Sequence, residues 1–194
     1  MKRICVFCGS VMGISPIYKE AAENMGKALV KRGLGLIYGG GNIGLMGAIA
    51  DAVLAVGGEA VGVIPEFLES KEIAHTHLTE LYIVSSMHER KALMADLADG
   101  FIAMPGGYGT LEEFCEILTW AQLSLHKKPI GLLNIDSFYD QLLSFFDNVM
   151  EQKFIKPAYR SMVLEAKEPE LLLDLMTNYQ APNIDKLTPK KINR

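Results

Sequence analysis

Long apolar runs are missing from this 194-residue chain. No stretch reaches the ~18 apolar residues that a membrane-spanning helix needs, so no span is expected. Excess positive charge is missing too. The formal net charge is −4, which removes any general pull toward nucleic acid or an anionic membrane surface. Cysteine is scarce: three cysteines make no disulfide framework in a chain of this size, and a reduced, cytoplasmic protein is expected. The start, Met1-Lys2-Arg3-Ile4-Cys5-Val6-Phe7, is basic, but its apolar run stops at Gly9-Ser10. That is too short for a secretory signal. No Gly-Lys-Ser/Thr follows either glycine-rich stretch, which excludes a Walker A loop. The first apolar segment opens onto Gly9-Ser10 instead of a Gly-x-Gly-x-x-Gly turn, and only Glu59 loosely matches an acidic ribose ligand. NAD binding is therefore disfavoured.

What the chain does have is glycine and apolar segments in a repeating order. Hydrophobic residues make up 49% of it, and 18 glycines punctuate them. The length suits one domain, read as 1–180, followed by a polar tail at 181–194. Apolar runs predict strands over 4–8, 34–38, 60–64, 81–84, 101–104, 129–134 and 162–165. Helical periodicity fills the gaps, over 16–33, 45–56, 87–97, 111–125, 138–152 and 169–179. Ser15-Pro16 opens the first helix as N-cap and first position, and Gly33 ends it. Ala22, Met25, Ala28 and Leu29 give that helix its apolar face. Ser137 is read as the cap of the 138–152 helix, and Pro65 as the end of the third strand. Residues 66–80 are polar without a period and read as a short helix or lid-like loop. Strands alternating with helices, several of them continuously apolar, predict an α/β fold: a Rossmann-like doubly wound parallel sheet with helices on both faces.

Ligands in such sheets sit at the carboxyl ends of the strands. Four candidate loops fall there: Gly9-Ser10, residues 39–44, Ser85-Ser86 and residues 105–109. The last is the most informative. Its glycines stand between a strand and a helix, where free N–H groups and the helix dipole favour a phosphate. Thr110-Leu111-Glu112-Glu113 has the spacing of a capping box, in which both side chains bond backbone N–H groups. A cap and a role at the ligand are compatible, because the cap would hold Glu113 beside it. The turn Gly39-Gly40-Gly41-Asn42-Ile43-Gly44 fits a tight connection as well as a ligand cradle. Met87-His88-Glu89-Arg90-Lys91 places cations at a helix start, against the dipole, which hints at an anion nearby. Cys5 and Cys8 lie in a strand on opposite faces and read as small buried side chains, and Cys115 as core. His75-Thr76-His77 has no carboxylate cluster to complete a metal site. Trp120 and the methionines read as packing.

These segments together resemble the LONELY GUY (LOG) family of cytokinin riboside 5′-monophosphate phosphoribohydrolases. Pro105-Gly106-Gly107-Tyr108-Gly109-Thr110-Leu111-Glu112-Glu113 is similar to that family's PGGxGTxxE signature. Gly39-Gly40-Gly41-Asn42-Ile43-Gly44-Leu45-Met46-Gly47 resembles its GGGxxGLMG turn, and Met87 to Lys91 its Met-x-x-Arg-Lys segment. Val6-Phe7-Cys8-Gly9-Ser10 is similar as well. The resemblance runs from about residue 4 to 125 with order and spacing intact. It implies hydrolysis of the N-glycosidic bond of an adenine nucleoside 5′-monophosphate, with Arg90 and Glu113 as the catalytic pair. It also implies substrate contacts at Glu72, Arg90, Lys91, Gly106, Gly107, Tyr108, Gly109, Thr110, Leu111, Glu112 and Thr119. Gly9, Ser10, Gly40, Gly41 and Asn42 are further candidates for nucleotide contact. No metal or organic cofactor is implied. The expected partners are a small-molecule nucleotide and a second copy in a homodimer, with no nucleic acid and no membrane. The alternative is a binding protein of similar fold that carries a molybdenum cofactor or senses nucleotides. The family's older description as possible lysine decarboxylases finds no lysine in a pyridoxal-type site.

Overall fold

The computed structural model describes residues 1–69 and 74–183. Along the chain come β1 (Arg3–Phe7), α1 (Pro16–Lys31), β2 (Gly35–Tyr38), α2 (Gly44–Ala55), β3 (Ala60–Pro65) and the single turn α3 (Glu66–Glu69). Next are β4 (Glu80–Val84), α4 (Met87–Leu97), β5 (Gly100–Ala103), α5 (Tyr108–Gln122) and β6 (Ile130–Leu133). The chain closes with α6 (Asp140–Glu151), the short α7 (Pro157–Arg160), β7 (Val163–Ala166) and α8 (Pro169–Thr177). The strands form one parallel sheet in the order β4-β3-β2-β1-β5-β6-β7. The chain walks outward from β1 to β4. α4 then carries it back to β5, on the other side of β1. The winding reverses between β1 and β5, so the loops leaving their carboxyl ends diverge and open a crevice.

The strands alternate their side chains between two apolar layers. Ile4 and Val6 of β1 join the layer formed with α1, α2 and α8. Cys5 and Phe7 join the opposite layer, which includes Met94 of α4, Phe114 of α5 and Leu143 of α6. Cys5 and Cys8 are thus buried on opposite faces, as the strand spacing predicts. Ser15 caps α1 by accepting from the Ile17 N–H at 3.4 Å, with Pro16 at the first helical position.

Several boundaries differ from the sequence reading. α5 begins at Tyr108 with Gly107 as N-cap, so Thr110 is the third helical residue and no capping box closes on it. A Ser-x-x-Glu pattern does cap α4: Ser86 Oγ accepts from Glu89 N–H at 3.2 Å, and Glu89 Oε2 accepts from Ser85 N–H at 2.8 Å. Ser137 is not the cap of α6, which starts at Asp140; Asp136 and Ser137 sit in the left-handed region at φ 51° and 61°. Pro65 is the last paired residue of β3, opposite Val84, where its missing N–H costs little. α7 had no sequence counterpart. In the expected lid-like stretch, the described residues are tied down: Ala74 bridges Gly41, His75 N–H donates to Gly40 O at 3.0 Å, and Thr79 N–H donates to Ala60 O at 3.0 Å. Most of the expected polar tail, residues 184–194, lies outside the described residues.

Candidate active site

Three strand-to-helix loops meet at the carboxyl edge of the sheet, and backbone bonds weld them together. Gly9 N–H donates to Pro105 O at 3.1 Å, and Leu45 N–H donates to Gly9 O at 3.0 Å. The loop after β1 is thereby clamped between the glycine turns that open α2 and α5. Glycine is required by the closeness of the approach. A Cβ on Gly44 would lie 2.2 Å from the Ser10 carbonyl carbon, and one on Gly106 would lie 2.1 Å from Thr110 Oγ1. Gly107 and Gly109 face open space instead. Neither α2 nor α5 has a side-chain cap at its first turn. The start of α5 therefore offers backbone N–H groups and the positive end of a helix dipole to an anion at residues 107–109.

The charged groups arrive from the opposite layer. Arg90 on α4 is buried at 5% exposure, and its Nη2 donates to Gly39 O at 3.0 Å. Gly39 has to be glycine, since a Cβ there would fall 2.0 Å from Arg90 Nη2. Glu113 lies in the second turn of α5, half-buried. Both act on one buried atom. Burial pushes the Cys5 thiol well up, Glu113 raises it further, and Arg90 opposes that rise. A cation from α4 and a carboxylate from α5 are thus both within electrostatic reach of β1. A guanidinium, a carboxylate and an anion cradle all near β1 make a combination that can bind a phosphorylated ligand and stabilise positive charge developing on it.

The sequence matches the model of a family described as "Possible lysine decarboxylase" over residues 46–176. Cytokinin riboside 5′-monophosphate phosphoribohydrolase LOG7 of Arabidopsis thaliana is 48% identical over 191 residues, 98% of this chain and 88% of that protein. Probable cytokinin riboside 5′-monophosphate phosphoribohydrolase LOGL6 of Oryza sativa subsp. japonica is 49% identical over 189 residues, covering 97% and 75%. The chain belongs to the LOG family. Among solved structures, the molybdenum cofactor binding protein of Rippkaea orientalis superposes with a TM-score of 0.68 at 22% identity, covering 91% of this chain and 96% of that one. The molybdenum cofactor carrier protein of Chlamydomonas reinhardtii gives 0.67 at 19%, covering 92% and 99%. At that identity the likeness is one of fold.

The other LOG signature residues are placed as follows. Gly9, Ser10, Gly40, Gly41, Asn42, Gly106, Gly107, Tyr108, Gly109 and Thr110 all lie on the three welded loops and the helix starts they feed. Tyr108 is 94% exposed and Thr110 buried. Leu111 packs at the edge of the opposite apolar layer. Lys91 is buried between helices, its Nζ donating to Glu112 Oε1 at 2.5 Å and Glu116 Oε1 at 3.0 Å. Burial works against its charge, but the two carboxylates outweigh it and raise its pKa. Of the cations at the start of α4, Lys91 is thus neutralised by carboxylates of α5, while Arg90 donates to a backbone carbonyl, which carries no countercharge. Thr119 stands apart. It is exposed on α5, six residues and about 9 Å beyond Glu113, and donates to Cys115 O at 2.8 Å. It lines an apolar cavity of about 260 Å³ with Cys115, Phe145, Val149 and Tyr159. Glu72 lies outside the described residues. Cys115, expected in the core, is on the exposed side of α5. His75 is buried, with Nε2 at 3.0 Å from Asp51 Oδ1 and Nδ1 accepting the His77 N–H. Among the described residues no His, Cys, Asp and Glu group could hold a metal ion. The socket that Gly39 makes for Arg90 escaped the sequence reading; its only sequence sign is a third glycine beyond what a turn needs.

Proposed function

We propose that the protein is a phosphoribohydrolase that cleaves the N-glycosidic bond of cytokinin riboside 5′-monophosphates, and of AMP, to free base and ribose 5-phosphate. The observation that carries this reading is a chain about 48% identical to proteins of that name, with Arg90 and Glu113 both within electrostatic reach of β1. Water adds across the bond: its hydroxyl goes to C1′ and a proton to the departing purine nitrogen. The transition state carries positive charge on the ribose. Glu113 is suited to stabilise that charge and to orient the water. Arg90 stays protonated and is a poor proton donor, so its role is to position the sugar phosphate and to support the leaving base electrostatically. Gly106, Gly107, Gly109 and Thr110 grip the phosphate. The substrate is chemically complete for this reaction without a cofactor. The carrier alternative is weaker, because its support is a likeness of fold below 25% identity.

The test is a chromatographic assay of base release from isopentenyladenosine 5′-monophosphate and from AMP. Release of both bases, with ribose 5-phosphate in equal amount, is expected. Tight nucleotide binding with no base after long incubation overturns the reading in favour of a carrier.

The same reading includes a reducing, cytoplasmic location, which the free thiols Cys5, Cys8 and Cys115 support. It also includes a homodimer. Phe145 and Phe154 are 59% and 82% exposed, with Leu123 and Leu125 also exposed at the end of α5. Phe145 lines the cavity that holds Thr119, and exposed apolar residues of this kind suit a protein interface. A second copy seated there would bring Thr119 to the interface. Mass photometry should read twice the 21.4 kDa of one chain, and Phe145→Asp should halve it. A wild-type monomer at micromolar concentration would remove the dimer.

A further inference from the structure

One buried network near the crevice has no part in the chemistry above. Asn134, at the carboxyl end of β6, is completely buried and fully bonded. Its Oδ1 accepts the Tyr139 N–H at 2.7 Å, and its Nδ2 donates to Asp140 Oδ1 at 2.8 Å and Glu165 Oε1 at 2.7 Å. Between Asn134 and Tyr139 the chain holds two consecutive non-glycine residues in the left-handed region, Asp136 and Ser137. Such strain persists only where the surroundings impose it. What the turn delivers is the Tyr139 ring, 1% exposed, with its hydroxyl donating to Met104 O at 2.6 Å. Met104 is the residue immediately before Pro105-Gly106-Gly107. Its own N–H donates to Phe7 O at 2.9 Å, and Pro105 O accepts from Gly9 N–H at 3.1 Å. The entry to the glycine loop is therefore fixed from two sides, by β1 and by Tyr139. Burial pushes the Tyr139 phenol pKa up, and Cys8 adds to it, so the hydroxyl remains a donor at every physiological pH.

We propose that Tyr139, aimed by Asn134, is a positioning residue that sets the height of the loop at 105–109 and so its grip on a phosphate. This rests on the reading of that loop as the phosphate cradle. The 5′-phosphate carries the same charge in the ground and transition states, so a grip that acts on that charge alone counts equally in both. Loosening it raises KM and leaves kcat nearly unchanged.

Tyr139→Phe removes only the hydroxyl. It should raise KM for the nucleoside monophosphate, and the inhibition constant of inorganic phosphate, in parallel and by about tenfold, with kcat changed by less than about twofold. Leu143→Ala, in the core one turn further along α6, is the control for loosening alone. It should lower Tm more than Tyr139→Phe does, while KM and phosphate inhibition stay within about twofold. A Tyr139→Phe protein with unchanged KM and phosphate inhibition, or changed only in Tm, overturns the proposal. Calorimetry with inorganic phosphate separates the two claims. If the wild type releases no base yet binds phosphate, the assigned reaction fails and the Tyr139 effect is read on phosphate affinity. If it binds no phosphate, the positioning role falls.

Discussion

At the scale of single residues, the placement of Arg90 depends on a glycine that looks like part of a turn. Gly39 O receives Arg90 Nη2 at 3.0 Å, and the space where a Cβ would stand is filled by the guanidinium. Gly39→Ala cannot keep both groups. Arg90 must swing out of its socket by more than 1 Å, and displacement of that size costs about 10²-fold in rate. The expected result is a folded protein by circular dichroism with kcat down by about two orders of magnitude; kcat within about threefold of wild type would show that Arg90 needs no socket. The sequence singles out Arg90 and Glu113 through their motifs, because such motifs name residue types at fixed spacing. It could not reveal what holds them. Thr110-x-x-Glu113 has the spacing of a capping box, and so does Ser86-x-x-Glu89. The second is the one that forms, because α5 starts at the flexible Gly107 and runs past Thr110. A pattern of four residues cannot say at which of them a helix begins.

At the scale of elements, helix ends were the least legible part of the chain. α1, α2, α5 and α6 all close in the same way. A left-handed residue follows the C-cap, and the next N–H donates back to a carbonyl in the last turn. The bonds are Leu34 to Leu29 O, Gly58 to Val53 O, Leu125 to Trp120 O and Phe154 to Val149 O, each at 2.9 or 3.0 Å. In α1 and α2 the left-handed residue is glycine, Gly33 and Gly57, and both ends could be read from the sequence. In α5 and α6 it is Ser124 and Lys153, at φ 61° and 63°. Nothing in those side chains announces the conformation, so the α5 reading ran on to residue 125. The same fact gives a prediction. A Cβ in the left-handed region costs about 1–2 kcal/mol, partly offset by the entropy glycine loses on folding. Ser124→Gly and Lys153→Gly should therefore each stabilise the protein by about 0.5–1 kcal/mol, read as a Tm rise of about 1–4 °C. A fall in Tm for either would show that the side chain contributes more than its backbone strain costs.

At the scale of the whole molecule, the fold was legible because it rests on period and order. Continuous apolar strands alternating with helices allow little but a doubly wound parallel sheet. The sequence order alone could not give the pairing of β1 with β5, and that pairing sets their loops side by side. It puts the loops after β1 and β5 at a reversal of winding, with α4 and α5 on one face of the sheet. Lys91 then ties those helices together through Glu112 and Glu116. In the proposed reaction this topology delivers the Glu113 carboxylate to a ribose whose phosphate the glycine loop holds. Glu113→Gln tests it most directly, since the amide keeps the shape and removes the charge. Base release should fall by about 10³-fold while AMP affinity, measured by calorimetry, stays within about threefold. Base release at the wild-type rate from the Glu113→Gln protein would contradict it.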